Sequence, residues 1–318
     1  MSGSDDLAPR PHGTGVAFVT GAAGFLGGAV AAAWVRAGWK VAGFDTAPGW
    51  AGGCAHWITG EVHRDALTRA AGEIGAPEVM FHAAGGSSVG ASVADPDGDF
   101  ARTVLSVRET LAFLKAEAPD ARLIYPSSAA VYGAASSESL AEMAPLKPIS
   151  PYGQHKVEAE LTIFSAVAAF GLHAVVLRFF SLYGPGLRKQ LLWDLARRLA
   201  TQPAQLELSG TGQETRDFLF VDDAVRLVGL AAGADAAPSP LILNGGRGEA
   251  ISVRRAAETL ARALGAKTSI GFSGESRAGD PAALVADVSE ARAHGFSPQV
   301  RFEEGAQRFA RWFAALPA

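Results

Sequence analysis

The chain has 318 residues, of which 48% are hydrophobic and 19% are charged, and its formal net charge is -4. This composition excludes disordered and fibrous proteins, and the length allows a large buried core in one α/β domain with a small partner. No long run of Lys or Arg points to a nucleic-acid or anionic-membrane partner. Cys54 is the one cysteine, so we expect no intramolecular disulfide, no thiolate metal site and a reducing, cytoplasmic setting.

Two further features bear on location. Residues 1–13 are rich in Ser, Asp, Pro and Gly, so we expect a flexible tail and not a signal peptide. Each Ala-, Val- or Leu-rich stretch is interrupted before it reaches the ~18 apolar residues of a membrane-spanning helix. The sequence therefore predicts a soluble protein with no membrane partner.

Short apolar runs alternate with longer segments of helical period from Val16 onward, which is typical of βαβ units. Strands are predicted over 16–20, 40–44, 79–82, 122–126, 173–179 and 241–244. Helices are predicted over 27–37, 65–71, 97–116 and 151–169. With right-handed crossovers these elements give an α/β fold with a doubly wound parallel sheet.

The pattern changes after Tyr183. Residues 187–201 and 252–264 are predicted helices, 206–208 a strand, and the segments from 265 are short and interrupted by glycine. We expect a main domain over 14–180, to which 216–246 return. Residues 181–215 and 247–318 would form a smaller, interleaved C-terminal α/β cap.

Three glycines follow the first predicted strand and open the first helix. Gly21, Gly24 and Gly27 suit a tight turn, the close approach of a pyrophosphate and close packing of helix on strand. Asp45 ends the second strand 18 residues beyond Gly27, where a carboxylate can accept hydrogen bonds from a ribose diol and repel a 2′-phosphate. This pattern predicts a Rossmann domain that binds NAD(H) in preference to NADP(H). The alternative is that Asp45 only forms a turn.

Ser128, Tyr152 and Lys156 have the chemistry of a proton-transfer site. Tyr152 and Lys156 are spaced i and i+4 at the start of a predicted helix, so they share one face, and an ammonium there would lower the tyrosine pKa toward neutrality. Ser128 lies at the carboxyl end of a predicted strand, where open α/β sheets bind ligands. Taken singly, the three residues also fit a turn, core packing and a solvated helix position. Together they indicate catalysis.

Eight motifs extend over nearly the whole chain in a familiar order. They are TGAAGFLG from Thr20, FHAAG from Phe81, YPSSAAVYG from Tyr125, SPYGQHK from Ser150, RFFSLYGP from Arg178, RDFLFVDDA from Arg216, LNGG from Leu243 and RAGDP from Arg277. With these motifs the sequence resembles the extended short-chain dehydrogenase/reductase family, and in particular its NAD-dependent nucleotide-sugar epimerases. The motif set is specific for family and fold, and much less so for the substrate.

The resemblance implies a role for each matching residue. Tyr152 would be the base, Ser128 its hydrogen-bonding partner, and Lys156 both the pKa modifier and a ligand of the nicotinamide ribose. Cofactor contacts are implied for Gly21, Ala23, Gly24, Phe25, Leu26, Gly27, Asp45, Glu61, Val62, Ala83, Ala84 and Phe179, besides Tyr152 and Lys156. Substrate contacts are implied for Ser87, Ser128, Ser181, Arg188, Arg216 and Arg277. Of these, Arg216 and Arg277 match arginines that hold the substrate diphosphate, although each would also suit a surface salt bridge. No metal is implied.

The triplet Ser128-Ala129-Ala130 distinguishes branches of the family. Similar dehydratases carry an acid and a base here, and two alanines cannot transfer protons, so dehydration and decarboxylation are disfavoured. Two reactions remain: 4-epimerisation through a 4-keto sugar, and reduction of a 4-keto-6-deoxy nucleotide sugar by NAD(P)H. Asp45 favours the first. A catalytically dead NAD sensor would have lost one of the three reactive residues, and none is lost.

Some positions depart from the family pattern. Ser181 and Thr103 stand where relatives usually carry Asn, and the segment after Gly186 is unusual. Within it, Arg188 and Lys189 either meet a substrate phosphate or form a solvated helix start. The helices near 97–116 and 151–169 match those that pair in dimeric relatives, which implies a C2 homodimer.

Overall fold

A seven-stranded parallel sheet organises the molecule. The computed structural model describes residues 15–49, 52–134, 139–234, 239–275 and 281–317, so the predicted tail lies outside the described residues. The strands are β1 Val16–Thr20, β2 Lys40–Asp45, β3 His56–Thr59, β4 Val79–His82, β5 Arg122–Ser128, β6 His173–Phe179, β7 Ser181–Tyr183, β8 Gln205–Leu208, β9 Thr215–Arg216, β10 Phe218–Phe220, β11 Leu241–Gly245, β12 Ile251–Ser252, β13 Ser269–Phe272 and β14 Ala283–Leu284. The large sheet has the order β11-β6-β5-β4-β1-β2-β3.

The helices flank this sheet and build the cap. They are α1 Phe25–Arg36, α2 Arg64–Ile74, α3 Val89–Ala94, α4 Pro96–Phe100, α5 Ser106–Glu117, α6 Pro151–Phe170, α7 Gln190–Ala200, α8 Val221–Ala232, α9 Val253–Ala263, α10 Ser289–Ala293 and α11 Phe302–Ala314. In the described part of the chain, no helix is both long enough and apolar enough to span a membrane.

Both faces of the sheet are buried, as the uninterrupted apolar strands predict. Successive residues of β1 point to opposite faces: Ala17 and Val19 join one core cluster and Phe18 joins another. The first cluster includes Trp34 of α1 and Val228 of α8, and the second includes side chains of α2, α5 and α6. The predicted doubly wound fold is confirmed.

Helix α6 begins where its sequence predicts. Ser150 is the N-cap and its side chain accepts a hydrogen bond from Gly153 N at 3.2 Å, and Pro151 occupies the first helical position. Gly171, with φ +70°, ends the helix in the left-handed conformation. Because these residues fix where α6 begins and ends, they also fix the helix face from which the side chains of Tyr152 and Lys156 project.

The predicted helix over 97–116 is interrupted. Helix α4 begins after its N-cap Asp95, a π-helical turn follows at Ala101–Leu105, and α5 continues the same path. Such turns insert an extra residue into the helical ladder and often lie at functional sites. Here the turn contains Thr103, whose Oγ1 accepts a hydrogen bond from Gly86 N.

The C-terminal segments pack around a separate cluster. Residues of α7, α9 and α11, among them Leu195, Leu260 and Phe309, surround Phe218 and Phe220. Helix α11 has 13 residues, whereas only short segments were expected after 265. The expectation was wrong because Gly305 interrupts the helical pattern. A Cβ at that position would collide with the Tyr183 hydroxyl, so close packing requires glycine there.

Candidate active site

The glycine loop after β1 forms the floor of a cleft. Gly21 has φ +66°, and a Cβ there would lie 2.7 Å from the Ala83 carbonyl oxygen. A Cβ at Gly27 would collide with the Gly21 carbonyl, so α1 lies directly on the loop. Helix α1 begins after Gly24 without a side-chain cap, which leaves backbone N–H groups at the helix start available to bind an anion. The loop therefore fits a dinucleotide pyrophosphate.

Asp45 lies beside this loop at the end of β2. Its Oδ2 accepts from Ala23 N at 2.9 Å, and its Oδ1 accepts from Ala47 N at 2.9 Å. The second bond closes the turn that the alternative interpretation of Asp45 predicts. The carboxylate also lines the cleft, where a ribose diol can reach it.

The cleft has a volume of about 970 Å³ and contains most of the predicted site. Its lining includes Gly21, Gly24, Phe25, Leu26, Gly27, Asp45, Glu61, Val62, Ala83, Ala84, Ser87, Ser128, Tyr152, Lys156, Phe179, Ser181 and Arg216. Ala23 is within the loop and bonds Asp45, but it is not part of the lining. Arg277 lies outside the described residues.

Arg188 does not face the cleft. Its guanidinium lies over the Trp193 ring, 6.0 Å from the centroid, and it lines neither this cleft nor the neighbouring cap cavity. The structure thus gives no support to the substrate contact predicted for Arg188. The next residue, Lys189, lines both spaces instead. The sequence could not show which of Arg188 and Lys189 lines the cleft, because the direction of each side chain depends on how α7 begins.

The three reactive residues meet at the carboxyl end of β5. The Ser128 hydroxyl lies near the Tyr152 hydroxyl, and both residues line the cleft. The buried Lys156 Nζ donates to the Pro126 carbonyl at 2.9 Å and lies 5.8 Å from the centroid of the Tyr152 ring. The helix spacing and the strand end therefore bring these side chains to one point, as predicted.

Burial dominates the pKa values at this point. It raises the pKa of Tyr152 above its usual 10.0; the Ser128 hydrogen bond acts in the opposite direction and the Asp99 carboxylate adds to the rise. Burial also lowers the pKa of Lys156 from 10.5 to about 8, against the opposing charges of Asp99 and Glu160. The expectation that Lys156 brings the pKa of Tyr152 toward neutrality is wrong in this structure, because desolvation outweighs a cation whose own charge is destabilised.

Asp99 is a nearby charge that the sequence interpretation missed. It is fully buried, and its Oδ2 lies 2.6 Å from His155 Nδ1. Its Oδ1 has no hydrogen-bond partner in the described part of the chain and packs where a Cβ of Gly86 would be. No local motif distinguishes Asp99 from Asp95 or Asp97. Only the packing of α4 against α6 brings it to the site.

A second polar group holds the loops after β1 and β4. His82 Nδ1 lies 3.0 Å from Thr20 Oγ1, and burial lowers the pKa of His82 to about 3, so the ring is neutral. Thr20 Oγ1 accepts from Ala84 N at 3.0 Å, and Thr103 Oγ1 accepts from Gly86 N at 2.8 Å. Thr103, which replaces the usual Asn, therefore still supports the loop that lines the cleft.

A buried ion pair supports the reactive strand from behind. Arg178 Nη2 and Glu160 Oε2 lie 2.7 Å apart, and Ser127 Oγ donates to Glu160 Oε1 at 2.5 Å. Arg178 Nη1 donates to the Tyr132 hydroxyl at 3.1 Å. These bonds join β5, β6 and α6 directly behind Ser128. The protein is thus a dinucleotide-binding α/β enzyme scaffold with a Ser-Tyr-Lys site.

Comparisons with known proteins identify the family. The model of the NAD dependent epimerase/dehydratase family matches residues 17–246, so the chain belongs to that family. It is similar to a UDP-glucose 4-epimerase of Streptomyces lividans, with 31% identity over 300 residues that cover 88% of this chain and 90% of the relative.

Solved structures agree with this family. MoeE5 in complex with UDP-glucuronic acid and NAD has 29% identity and a TM-score of 0.83, covering 94% of this chain and 99% of MoeE5. TunA, an NAD dependent NDP-hexosamine 5,6-dehydratase, has 25% identity and a TM-score of 0.82, covering 95% and 98%. The protein is an NAD-dependent enzyme of the epimerase/dehydratase family.

Proposed function

We propose that the protein is an NAD-dependent nucleotide-sugar 4-epimerase that oxidises and re-reduces the sugar C4 through a 4-keto intermediate. The observation that carries this proposal is the Ser128–Tyr152–Lys156 site in a cleft where the adjoining Ala129 and Ala130 provide no second acid or base. The names of the relatives support it, since UDP-glucose 4-epimerases are among them.

The cofactor residues are those of the glycine loop and its neighbours. At Gly21 and Gly27 the absence of a side chain would let the pyrophosphate come close to the backbone, and Asp45 would accept hydrogen bonds from the adenine ribose hydroxyls. The chemistry that NAD supplies when bound is reversible hydride acceptance, so the overall reaction has no net redox change.

Tyr152 transfers the proton of the C4 hydroxyl group. It takes the hydroxyl proton of the sugar as the ketone forms and returns it after the 4-keto sugar has turned over in the cleft. Ser128 holds the phenol and the reacting oxygen in one hydrogen-bond chain. A charged Lys156 ammonium, 5.8 Å from the centroid of the Tyr152 ring, would favour the phenolate against the burial that raises the Tyr152 pKa.

The second candidate is a reductase of a 4-keto-6-deoxy nucleotide sugar that uses NAD(P)H. Ser181 favours it, because this residue lines the cleft where relatives usually carry Asn. The same three reactive residues would then act in one direction, with Tyr152 as the acid. Dehydration, the reaction of TunA, finds no acid or base at Ala129 and Ala130.

Proton NMR of the purified protein tests the proposal. UDP-, dTDP- and GDP-hexoses are supplied with and without NAD⁺, in the absence of a reductant. We expect the C4 epimer of one sugar to appear. We expect Tyr152→Phe to form none while binding the cofactor as the wild type does, because the variant loses only the proton-transferring hydroxyl.

Two outcomes would contradict the proposal. Epimer formation by Tyr152→Phe at the wild-type rate would reject the mechanism. Failure of the wild type across the panel, together with consumption of NADH when 4-keto-6-deoxy sugars are supplied, would establish the reductase instead.

We also propose a C2 homodimer that works in the cytoplasm. Helices α5 and α6 pack against each other, and large apolar side chains are exposed on α6 and on the π-helical turn that precedes α5, with Leu161 at 55% and Leu105 at 42%. A second copy would cover them. The cytoplasmic setting is supported by the single cysteine, Cys54, which leaves no intramolecular disulfide.

A further inference from the structure

Lys189 connects the cap to the main sheet. It precedes α7 with extended backbone, and Gln190, the first residue of the helix, has the left-handed φ of +68°. The Lys189 ammonium donates to the Ser87 carbonyl at 3.1 Å, so a cap residue reaches the loop after β4. This loop also lines the cleft that contains Tyr152.

The Lys189 ammonium has no anionic partner among the residues that the structure describes. It is half-buried, and burial alone lowers its pKa from 10.5. In the described ranges, no Asp or Glu oxygen lies within ion-pair distance of it, and its one hydrogen bond goes to a neutral carbonyl. A partly desolvated cation with only a neutral partner gains free energy when a ligand supplies the negative charge.

Lys189 also lies where two cavities join. One is the cleft; the other is a cavity of about 430 Å³ in the cap, with Trp193 and Phe309 in its wall. Among the described residues, Lys189 and Arg216 are the two basic residues that line both cavities. Arg216 Nη1 donates to the carbonyl oxygens of Thr215 and Pro281 at 2.8 Å, which holds the guanidinium at the junction.

The sugar, diphosphate and nucleoside of a nucleotide sugar follow one another in the same order as the cleft, the junction and the cap cavity. This inference rests on the proposed function. If that function is correct, the sugar of the substrate lies by Tyr152 and the nucleoside lies in the cap, so the diphosphate crosses the junction. We propose that Lys189 binds the substrate diphosphate together with Arg216 and thereby couples substrate binding to the loop at Ser87. Lys189, and not Arg188, is then the residue of this unusual segment that determines affinity for the diphosphate.

Isothermal titration tests this assignment without requiring turnover. The probes are uridine, UMP, UDP and the corresponding thymidine and guanosine series. Lys189→Met should weaken binding of the preferred nucleoside diphosphate about tenfold or more and leave its nucleoside unchanged, because an ammonium-phosphate hydrogen bond is lost. The wild-type affinity should also depend more steeply on salt than that of Lys189→Met.

Arg188→Met is the matched control, since it removes a neighbouring charge that stacks on Trp193. It should bind the diphosphate as the wild type does, and Lys189→Arg should retain most of the affinity. Thermal unfolding of each variant shows whether the fold is intact.

Several results would overturn the assignment. They are wild-type affinity for the diphosphate in Lys189→Met, an equal loss for nucleoside and diphosphate, and the binding of no nucleoside diphosphate by the wild type. UDP-glucose and UDP-glucuronate are titrated as well, and a loss confined to UDP-glucuronate would assign Lys189 to a sugar carboxylate instead. A protein that binds the diphosphate through Lys189 but forms no C4 epimer would reject the proposed function alone.

Discussion

Burial of Lys156 determines both its chemical role and its effect on stability. The ammonium lies under β5 with a carbonyl oxygen as its hydrogen-bond acceptor and the ring of Tyr125 4.7 Å away. Desolvation lowers its pKa to about 8, so protonation opposes folding at neutral pH. The site keeps a charge that the fold by itself disfavours, as is common where a charge serves catalysis.

This burial predicts a pH-dependent stability difference. Between the folded pKa of about 8 and the unfolded value of 10.5, the unfolded chain binds more protons, so stability rises with pH. Relative to Lys156→Met, the wild type should gain about 2 kcal/mol of unfolding free energy from about pH 7.5 to about pH 10. Urea titrations at the two pH values measure this gain.

The exposed Lys267 provides the control for this measurement. Lys267→Met should follow the wild-type pH dependence, because it leaves the buried Lys156 in place. Parallel curves for the wild type and Lys156→Met would show that Lys156 titrates at the same pH in the folded and unfolded states.

At the scale of elements, one ion pair joins three of them behind the reactive strand. Arg178 of β6 and Glu160 of α6 are 2% and 0% exposed, and Ser127 of β5 donates to the same carboxylate. Removing one partner leaves a buried charge without compensation. The pair therefore sets the register of α6, and with it the position of Tyr152, against β5.

A double-mutant cycle measures this coupling. Arg178→Met should lower the unfolding free energy by about 3–5 kcal/mol, because it leaves the Glu160 carboxylate buried and unpaired. Adding Glu160→Met should restore part of the loss, so that the two changes are not additive. Denaturant unfolding gives the four free energies. Additive losses would mean that the two groups contribute independently.

Elements were predicted best where their signals are local. Strands β1, β4 and β6 have the predicted bounds because a short apolar run forms most of each strand, over 16–19, 79–81 and 174–177. Strand β3 was not predicted, since it has four residues and none of them is fully buried. The π-helical turn at Ala101–Leu105 was also missed, because no residue pattern distinguishes it from the α-helix around it.

At the scale of the whole molecule, the proposed homodimer would cover the exposed side of α5 and α6. Sedimentation velocity at micromolar concentration should give a dimer for the wild type. Leu161→Glu should give a monomer, because the new carboxylate would be buried against the second copy without a partner. A monomeric wild type over the whole concentration range would contradict the proposal.

The sequence by itself determined the parts of the protein that depend on neighbours along the chain. The glycine loop, the strand end at Asp45 and the Tyr152–Lys156 spacing all follow local rules of turn, strand and helix geometry, and they predicted the parallel sheet and the NAD-dependent family.

Only the tertiary structure decided the electrostatics and the walls of the site. Helix packing brings the Asp99 charge close enough to raise the pKa of Tyr152, and burial raises that pKa where a lower value was expected. Lys189 lines the junction, whereas Arg188 stacks on Trp193. The physical reason is that desolvation, charge proximity and side-chain direction depend on groups far apart in the chain, which no local pattern specifies.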